Sequence, residues 1–493
     1  MKRIISSILL VVLLLTCALG TLVSCKDKKK NNGPAADFTM PEGGFDTSTP
    51  IEITFYHSMG NNLKTHLEAA IKRFNAIYPN ITVKHASYGD YDGVRDQIKT
   101  EISVGDQPNI AYCYPDHIAL YNEAKAVQTL DVFINDATYG LDTSIFVEAF
   151  YNEGRVFGDD KTYSLPLAKS TEVIYYNRTF FEENNLTVPT TWAEMEALCA
   201  QIKTIDPDCI PLGYDSESNW FITMCEQYGS GYTSLDENDH FKFNNDTNKA
   251  FVKMFSEWAG KYYVTTQKLS GSYTSALFTG ESYKNPETGE WESPTTKTYM
   301  CIGSTGGSTY QQPGRNENVE GAPFNFEVGI APIPQVNKNN PKVISQGPSL
   351  CIFKKDNAQE VLASWLFVKF LCTDYQFLGN LSMQNGYAPA IKDMAAKDEV
   401  YAEWLAAVGD DATAADLTEN ITAYAARVAL EQTHTFYTSP AFNGSSVARD
   451  QVGILMQSCL LAGQQGLSEA ELKARIDAAF RKAIEECEYQ AGE

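Results

Sequence analysis

Ile51-Glu52-Ile53-Thr54-Phe55, Ile81-Thr82-Val83 and Asn109-Ile110-Ala111-Tyr112-Cys113 are the short β-branched and aromatic runs on which the fold is decided. Between the first two, apolar residues at 63, 67, 70, 71, 74 and 77 recur at helical spacing until Pro79. Between the second and third, Val94, Ile98 and Ile102 repeat that spacing up to Gly105-Asp106-Gln107-Pro108. Strand, helix, strand, helix, strand is the order that builds a largely parallel sheet with covering helices. The expected class is therefore α/β. In such sheets ligands settle beyond the carboxyl ends of the strands.

Downstream, a second unit opens near Leu165-Pro166. Residues 172–176 read as a strand, and Thr191-Trp192-Ala193-Glu194 is a capping box that starts a helix towards Ile202. Residues 209–213 offer another strand, and 248–262 a helix with Phe251, Met254, Phe255 and Trp258 inward. Residues 284–297 read as an inserted hairpin or loop. Beyond Asp356 the chain is mainly helical, with helices expected near 357–372, 395–407, 413–430, 446–462 and 468–489. No internal repeat of short period is present.

Upstream, Met1-Lys2-Arg3 precedes an apolar run from Ile4 to Leu19, shorter than the roughly 20 residues a membrane span needs. A charged start, a short apolar stretch and small residues before a cleavage point make a secretory signal. Leu22-Val23-Ser24-Cys25 resembles the bacterial lipobox, in which the cysteine is acylated and becomes the new N-terminus; the other reading is an ordinary signal peptide with an incidental cysteine. Residues 1–24 are thus expected to be a signal peptide and 25–45, polar and Gly/Pro-bearing, a flexible lipid-anchored linker. The body should be exported, held by lipid on Cys25 at the outer face of the cell membrane or the periplasmic side of an envelope membrane.

The chain carries −23 at pH 7, which excludes a phosphate-tracking basic footprint and hence nucleic acid as a partner. Cysteines 113, 199, 209, 225, 301, 351, 372, 459 and 487 include no Cys-x-x-Cys spacing, and several lie in apolar runs. Buried free thiols are expected, with room for one disulfide. There is no G-x-x-x-x-G-K-[ST] loop, no G-x-S-x-G elbow and no His-Glu-x-x-His. The six histidines give no pair at metal-ligand spacing on one helix face. Neither a metal nor a cofactor is implied. Acidic residues are abundant, so counting leaves a hydrolytic carboxylate pair open, but nothing points to catalysis.

Phe55-Tyr56-His57-Ser58-Met59, then Arg73-Phe74-Asn75 with Tyr78-Pro79, resembles the opening of the family-1 extracellular solute-binding proteins of ABC importers, most closely their glycerol-3-phosphate and carbohydrate-binding branch. The likeness runs on through Ser164-Leu165-Pro166, Ser170-Thr171-Glu172-Val173-Ile174-Tyr175-Tyr176-Asn177 and Pro189-Thr190-Thr191-Trp192. Gly329-Ile330-Ala331-Pro332-Ile333-Pro334 and Asn385-Gly386-Tyr387-Ala388-Pro389 follow in the family's order. The resemblance implies a two-lobe periplasmic-binding-protein fold, with hinge crossovers near 165, 329 and 375 and ligand clamped between lobes. One lobe would be 46–165 plus 330–374, the other 166–329 plus 375–493. It also implies a monomer that hands a small carbohydrate to membrane permease subunits.

A sugar offers vicinal hydroxyls and a C–H face, so its cleft needs short polar acceptors and aromatic rings. The family pattern carries Tyr91 into the cleft, against a solvated loop tyrosine. Asp116 falls near the family's ligand-binding acid, against a helix cap. Ser170 and Tyr387 match ligand-contacting positions. Trp220 lies where the branch places stacking tryptophans, or else in the core. Ser304, Thr305 and Gly306 would offer backbone N–H groups after a strand, or form a plain turn. Gly347 permits close backbone approach, or a tight turn. His57 stands at the end of the first strand, as a cleft residue or a satisfied structural histidine.

The branch's late phosphate-binding arginine falls near Ala441 in Ser439-Pro440-Ala441-Phe442-Asn443-Gly444, with no basic residue beside it; Arg449 matches a different arginine. A buried dianion without a charged partner is costly. The expectation is a neutral mono- or oligosaccharide, with Lys169 beside Ser170 as a departure from the family pattern. The alternatives are the same fold binding glycerol 3-phosphate, a phosphodiester or another small solute, and an exported carbohydrate-active enzyme.

Overall fold

Along Ile51–His57 every second side chain is buried, as the alternation of residues 51–55 requires of a strand with one covered face. The computed structural model describes residues 37–492 apart from 237, 285–287, 295 and 316–323. The signal peptide, Cys25 and most of the linker, with part of 284–297, lie outside the described residues. Ile51–His57 pairs in parallel with Ile81–Ser87 and Ile110–Cys113. Ser349–Phe353 then runs antiparallel to Ile110–Cys113, Val127–Gln128 and Ser164–Pro166, completing a six-stranded sheet.

The helix Ala358–Leu371 covers this sheet and is buried on nearly every side. Phe367 packs its ring edge against Phe55 and Phe74, with centroids 6.2 and 5.0 Å away. Burying each such ring contributes about 2–3 kcal/mol. The helix Asn61–Ile77 supplies Leu67, Ala70 and Phe74 from the apolar stripe visible in its sequence.

A second, five-stranded sheet has the order Val328–Pro332, Glu172–Asn177, Met300–Ser304, Leu212–Tyr214 and Val264–Thr266. The first three pair antiparallel and the last three in parallel. Its core gathers Trp192, Trp220, Phe255 and Trp258. The expected capping box is present: Thr191 caps Trp192–Ile205 and Glu194 returns the bond to the Thr191 backbone. Beyond Pro211, which has no N–H to give a ladder, the expected strand at 209–213 becomes Leu212–Tyr214. The 283–284 and 291–292 segments pair as a small hairpin.

Two segments run side by side between the sheets. Ser170 and Gln346 exchange both backbone hydrogen bonds, at 2.8 and 3.0 Å, and Leu167 N–H donates to the Pro348 carbonyl. Gly347 has φ +103°, and a Cβ there would stand 2.5 Å from the Ala168 carbonyl, so only glycine fits.

Helices that the sequence pattern did not mark include Pro115–Asn122, Glu217–Tyr228 and Tyr375–Asn385. The single helix expected over 413–430 is two, Ala414–Glu419 and Ile421–Glu431. Asn420 divides them, its side-chain amide donating to the Asp416 carbonyl at 3.0 Å. All nine cysteines from 113 to 487 are buried, and the eight from 113 to 459 are free thiols.

Candidate functional site

The carboxyl ends of the first sheet's parallel strands open onto a cavity of about 520 Å³. Ser58 to Leu63 follow the first strand into it, Gly89 to Tyr91 follow the second, and Tyr112 lies near the end of the third. Tyr310, three-quarters exposed, reaches it from the 3₁₀ turn after Met300–Ser304, and Tyr387 follows the helix Tyr375–Asn385. Ala168 and Pro348 supply the wall made by the two connecting segments.

Tyr91 and Tyr387 were both expected in the cleft, and both line it, close enough for each hydroxyl to bear on the other's ionisation. Tyr91 also stacks 6.3 Å from Tyr112 and lies 4.6 Å from Tyr114, centroid to centroid. Burial pushes the Tyr91, Tyr112 and Tyr387 hydroxyls above their ordinary pKa, so all three are neutral donors at physiological pH. Asp90 caps the helix Tyr91–Ile102 by accepting from Gly93 N–H, which fixes where Tyr91 starts.

On the other side of Gly347 lies a smaller hollow of about 60 Å³, bounded by Tyr114, Asp116, Glu153, Gln346, Tyr232, Ala441 and Arg449. Asp116 enters it from the first turn of Pro115–Asn122, just after the third strand. Arg449 comes from the helix Ser445–Gly463. The absence of a cation beside Ala441, expected from the sequence, is corrected here. A helical turn brings Arg449 into the same hollow as Ala441 although the two are separated in sequence. Burial opposes its charge, but Asp116, then Tyr232 and Tyr114, outweigh that and its pKa is raised.

Asn219 holds Arg449 in place: its carbonyl oxygen accepts from the guanidinium. Its amide donates to Glu172 at 3.0 Å and to Gln346 at 2.9 Å. Glu172 also accepts from the Tyr214 hydroxyl at 2.6 Å. Burial raises its pKa to about 7 in spite of those bonds and of Arg449.

Ser170 is buried beside the smaller hollow's wall and accepts from the Ser304 hydroxyl at 3.2 Å. Ser304 caps the following turn by accepting from Gly306 N–H, and Thr305 N–H donates to the Thr171 carbonyl. Gly306 lies under Tyr387: a Cβ there would meet its ring at 2.6 Å. Neither these residues nor Gly347 lines either hollow; they brace the walls from behind.

Two expected residues are placed elsewhere. Trp220 is wholly buried, stacked 4.7 Å from Tyr214 and packed on Phe255, and lines neither hollow. It is a core tryptophan, because Glu217–Tyr228 is buried on most of its faces. His57 is also wholly buried. Its Nδ1 accepts from Met59 N–H and its Nε2 meets His85 Nδ1, both at 3.0 Å. It braces the chain that lines the larger cavity without facing it. Among the described residues no group of three or more His, Cys, Asp or Glu is placed to hold a metal.

Tyr232, Arg449 and Tyr310 were missed as site residues. Tyr232 sits in an irregular loop with no motif around it. Tyr310 belongs to a turn legible only as Gly-rich.

A model of the bacterial extracellular solute-binding proteins matches residues 69–408. The chain is similar to the sn-glycerol-3-phosphate-binding periplasmic protein UgpB of Yersinia pestis, 23% identical over 354 residues, covering 69% of this chain and 74% of the relative. Among solved structures it resembles UgpB from Mycobacterium tuberculosis in complex with glycerophosphocholine, with TM-score 0.67 at 18% identity, over 89% of this chain and 99% of that one. The GacH receptor of Streptomyces glaucescens, solved unliganded and with acarbose, gives TM-score 0.64 at 15% identity, over 89% and 99%. The shared fold is the two-lobe fold of periplasmic binding proteins. With well over half of its length inside the family match, the chain belongs to the bacterial extracellular solute-binding proteins.

Proposed function

We propose that this exported protein captures a mono- or oligosaccharide between its lobes and releases it unaltered to the permease of an ABC importer. The observation that carries the reading is the cavity of about 520 Å³ at the strand ends, walled by Tyr91, Tyr112, Tyr310 and Tyr387. Aromatic faces next to neutral hydroxyl donors suit a sugar's C–H face and its ring hydroxyls. Ser170, Ser304, Thr305, Gly306 and Gly347 support the walls. Asp116 serves the smaller hollow.

The lobe built on the first sheet takes 46–165 and the returning chain from 349, with Phe377, Leu381 and Met394 packed in its core; the lobe built on the second takes 166–332 and the helices Ser445–Gly463 and Glu469–Ala491. Because Val328–Pro332 hydrogen-bonds within the second sheet, we place the actual return between 333 and 349. Closure is a population shift, driven by contacts that exist only with ligand between the lobes. The mature protein is a monomer held by lipid on Cys25. Intact mass of the membrane-bound form, compared with Cys25→Ala, tests that anchor.

The functional test is a thermal-shift screen of the mature chain against maltose, maltotriose, sucrose, raffinose, glycerol 3-phosphate and glycerophosphocholine. Ligand at a hundred times Kd stabilises by ~2.7 kcal/mol. Stabilisation by a sugar that is recovered intact supports the reading; turnover of that sugar would establish an enzyme instead. A second reading, a glycerol phosphate or its diester, is favoured by Arg449 in the smaller hollow.

A further inference from the structure

His57 and His85 share their protons in a single arrangement. The Met59 N–H donates to His57 Nδ1 at 3.0 Å, and a backbone N–H can only donate. His57 Nδ1 therefore carries a lone pair. Burial, ahead of His85 and Lys64, keeps that ring neutral, so its one proton sits on Nε2. The Nε2–H points at His85 Nδ1, 3.0 Å away, which must accept. A neutral His85 then holds its own proton on Nε2. The two rings stack with centroids 5.2 Å apart.

This relay grips a stretch of the larger cavity's wall. Met59 is buried, and its carbonyl accepts from the Ser87 hydroxyl at 2.9 Å. Both backbone groups of Met59 are thus held from the first two strands, while Ser58 to Leu63 line the cavity. A further proton has no vacant place here. On His85 Nδ1 it would face the His57 Nε2–H; moving the His57 proton to Nδ1 only carries the conflict to the Met59 N–H. Either way two donors stand 3.0 Å apart with no acceptor between them.

Lys64 and Glu68 of the helix Asn61–Ile77 face the pair, as does Tyr112 of the third strand, its ring 6.1 Å from His57. His57 is wholly buried and His85 only half so, and His85 therefore takes the proton first. Burial, opposed by Glu68 and aided by Lys64, holds its pKa below the ordinary 6.5.

We propose that His57 and His85 are positioning residues that hold Met59, and through it the Ser58 to Leu63 wall, only while both rings are neutral, so that acid loosens the wall and releases the ligand. The release of ligand rests on the carbohydrate reading above; the loosening of the wall does not.

Hydrogen exchange of the mature, ligand-free chain at pH 7.5 and 5.0, corrected for intrinsic exchange rates, reads the Met59 amide directly. Its protection in the wild type should fall about tenfold or more at pH 5.0. Calorimetric titration at the same two pH values with maltose, maltotriose, sucrose, raffinose and glycerol 3-phosphate should show sugar binding weakened in parallel. His85→Asn sets an amide oxygen near the place of Nδ1 and does not titrate, so it should keep neutral-pH protection and affinity at both values. His85→Leu offers no acceptor and should be loose at both. Unchanged wild-type protection, or an acid loss that persists in His85→Asn, would overturn the relay. Sugar affinity that stays constant while Met59 loosens would overturn its link to the ligand. No binding of any of the four sugars, with the Met59 loss present, would overturn the carbohydrate reading and leave the relay standing.

Discussion

The Lys169 ammonium and the Glu153 carboxylate form an ion pair where the two connecting segments run side by side, with side-chain exposures of 0% and 2%. Lys169 also donates to the Gly347 carbonyl at 3.1 Å and to the Ser349 hydroxyl at 2.9 Å. One side chain thus ties the outgoing segment to the returning one and to the helix Glu148–Glu153.

Lys169→Met should therefore destabilise by about 3–5 kcal/mol, because it strands a buried carboxylate without its partner. The double variant Lys169→Met with Glu153→Gln should recover most of that loss. Urea unfolding of the three proteins measures both effects. Equal stability of Lys169→Met and wild type would show that the pair contributes nothing net.

Arg95, on Tyr91–Ile102, reaches across to Ser445–Gly463 and meets Asp450 Oδ2 and the Ser446 hydroxyl, each at 3.4 Å. The bond joins the lobe of the first sheet to that of the second at the rim of the smaller hollow. Its partner Asp450 is half exposed, so the contribution to global stability should be under about 1 kcal/mol. Asp450→Ala should weaken ligand binding two- to fivefold through faster release, with Tm nearly unchanged. The deficit should shrink as salt is added and screens the wild-type bond. Stopped-flow release rates at low and high salt check this.

The three parallel strands of the first sheet were legible as short β-branched and aromatic runs separated by helices with clean apolar stripes; Phe55, Phe74 and Phe367 merely close what those patterns predict. The helix Glu217–Tyr228 was not, because it is buried on most faces and shows no polar side to set a period. Tyr91 and Tyr387 could be found from motifs whose order is a property of the chain. Arg449 could not be placed, because one helical turn, not sequence adjacency, sets it beside Ala441. Tyr232 carries no local signal at all: what marks it is an unbonded hydroxyl, a property only of the folded state.

Gly306 is packed under the Tyr387 ring with no room for a Cβ, which would sit 2.6 Å from Cε1. Gly306→Ala should push that ring out of its place in the cavity wall beside Tyr91, lowering affinity for a sugar about tenfold or more. Tyr387→Ala should do the same without unfolding the protein. Titration calorimetry with circular dichroism controls separates the two effects. Wild-type affinity in both variants would remove Tyr387 from the site.

Glu172 and His57 give opposite pH dependences, and their overlap hides both. Burial raises Glu172 from 4.5 to about 7, so the folded state holds more protons than the unfolded between those values. Stability from this group is full below pH 4.5 and is lost as pH rises to 7. Burial, then His85 and Lys64, lowers His57 from 6.5 to about 3, so here the unfolded state binds more protons. That contribution is full above pH 6.5 and is lost as pH falls towards 3. Between pH 4.5 and 6.5 the two slopes cancel and the wild type should be flat with respect to this pair. Glu172→Gln keeps an acceptor for the Tyr214 hydroxyl and does not titrate, so it should expose the His57 slope. Its stability should rise between pH 4.5 and 6.5 by up to about 2–3 kcal/mol, at about 1.4 kcal/mol per pKa unit. At pH 8 it should exceed that of the wild type. Urea melts at pH 4.5, 5.5, 6.5 and 8 measure both, and a Glu172→Gln curve parallel to the wild type would show that Glu172 titrates normally in the fold.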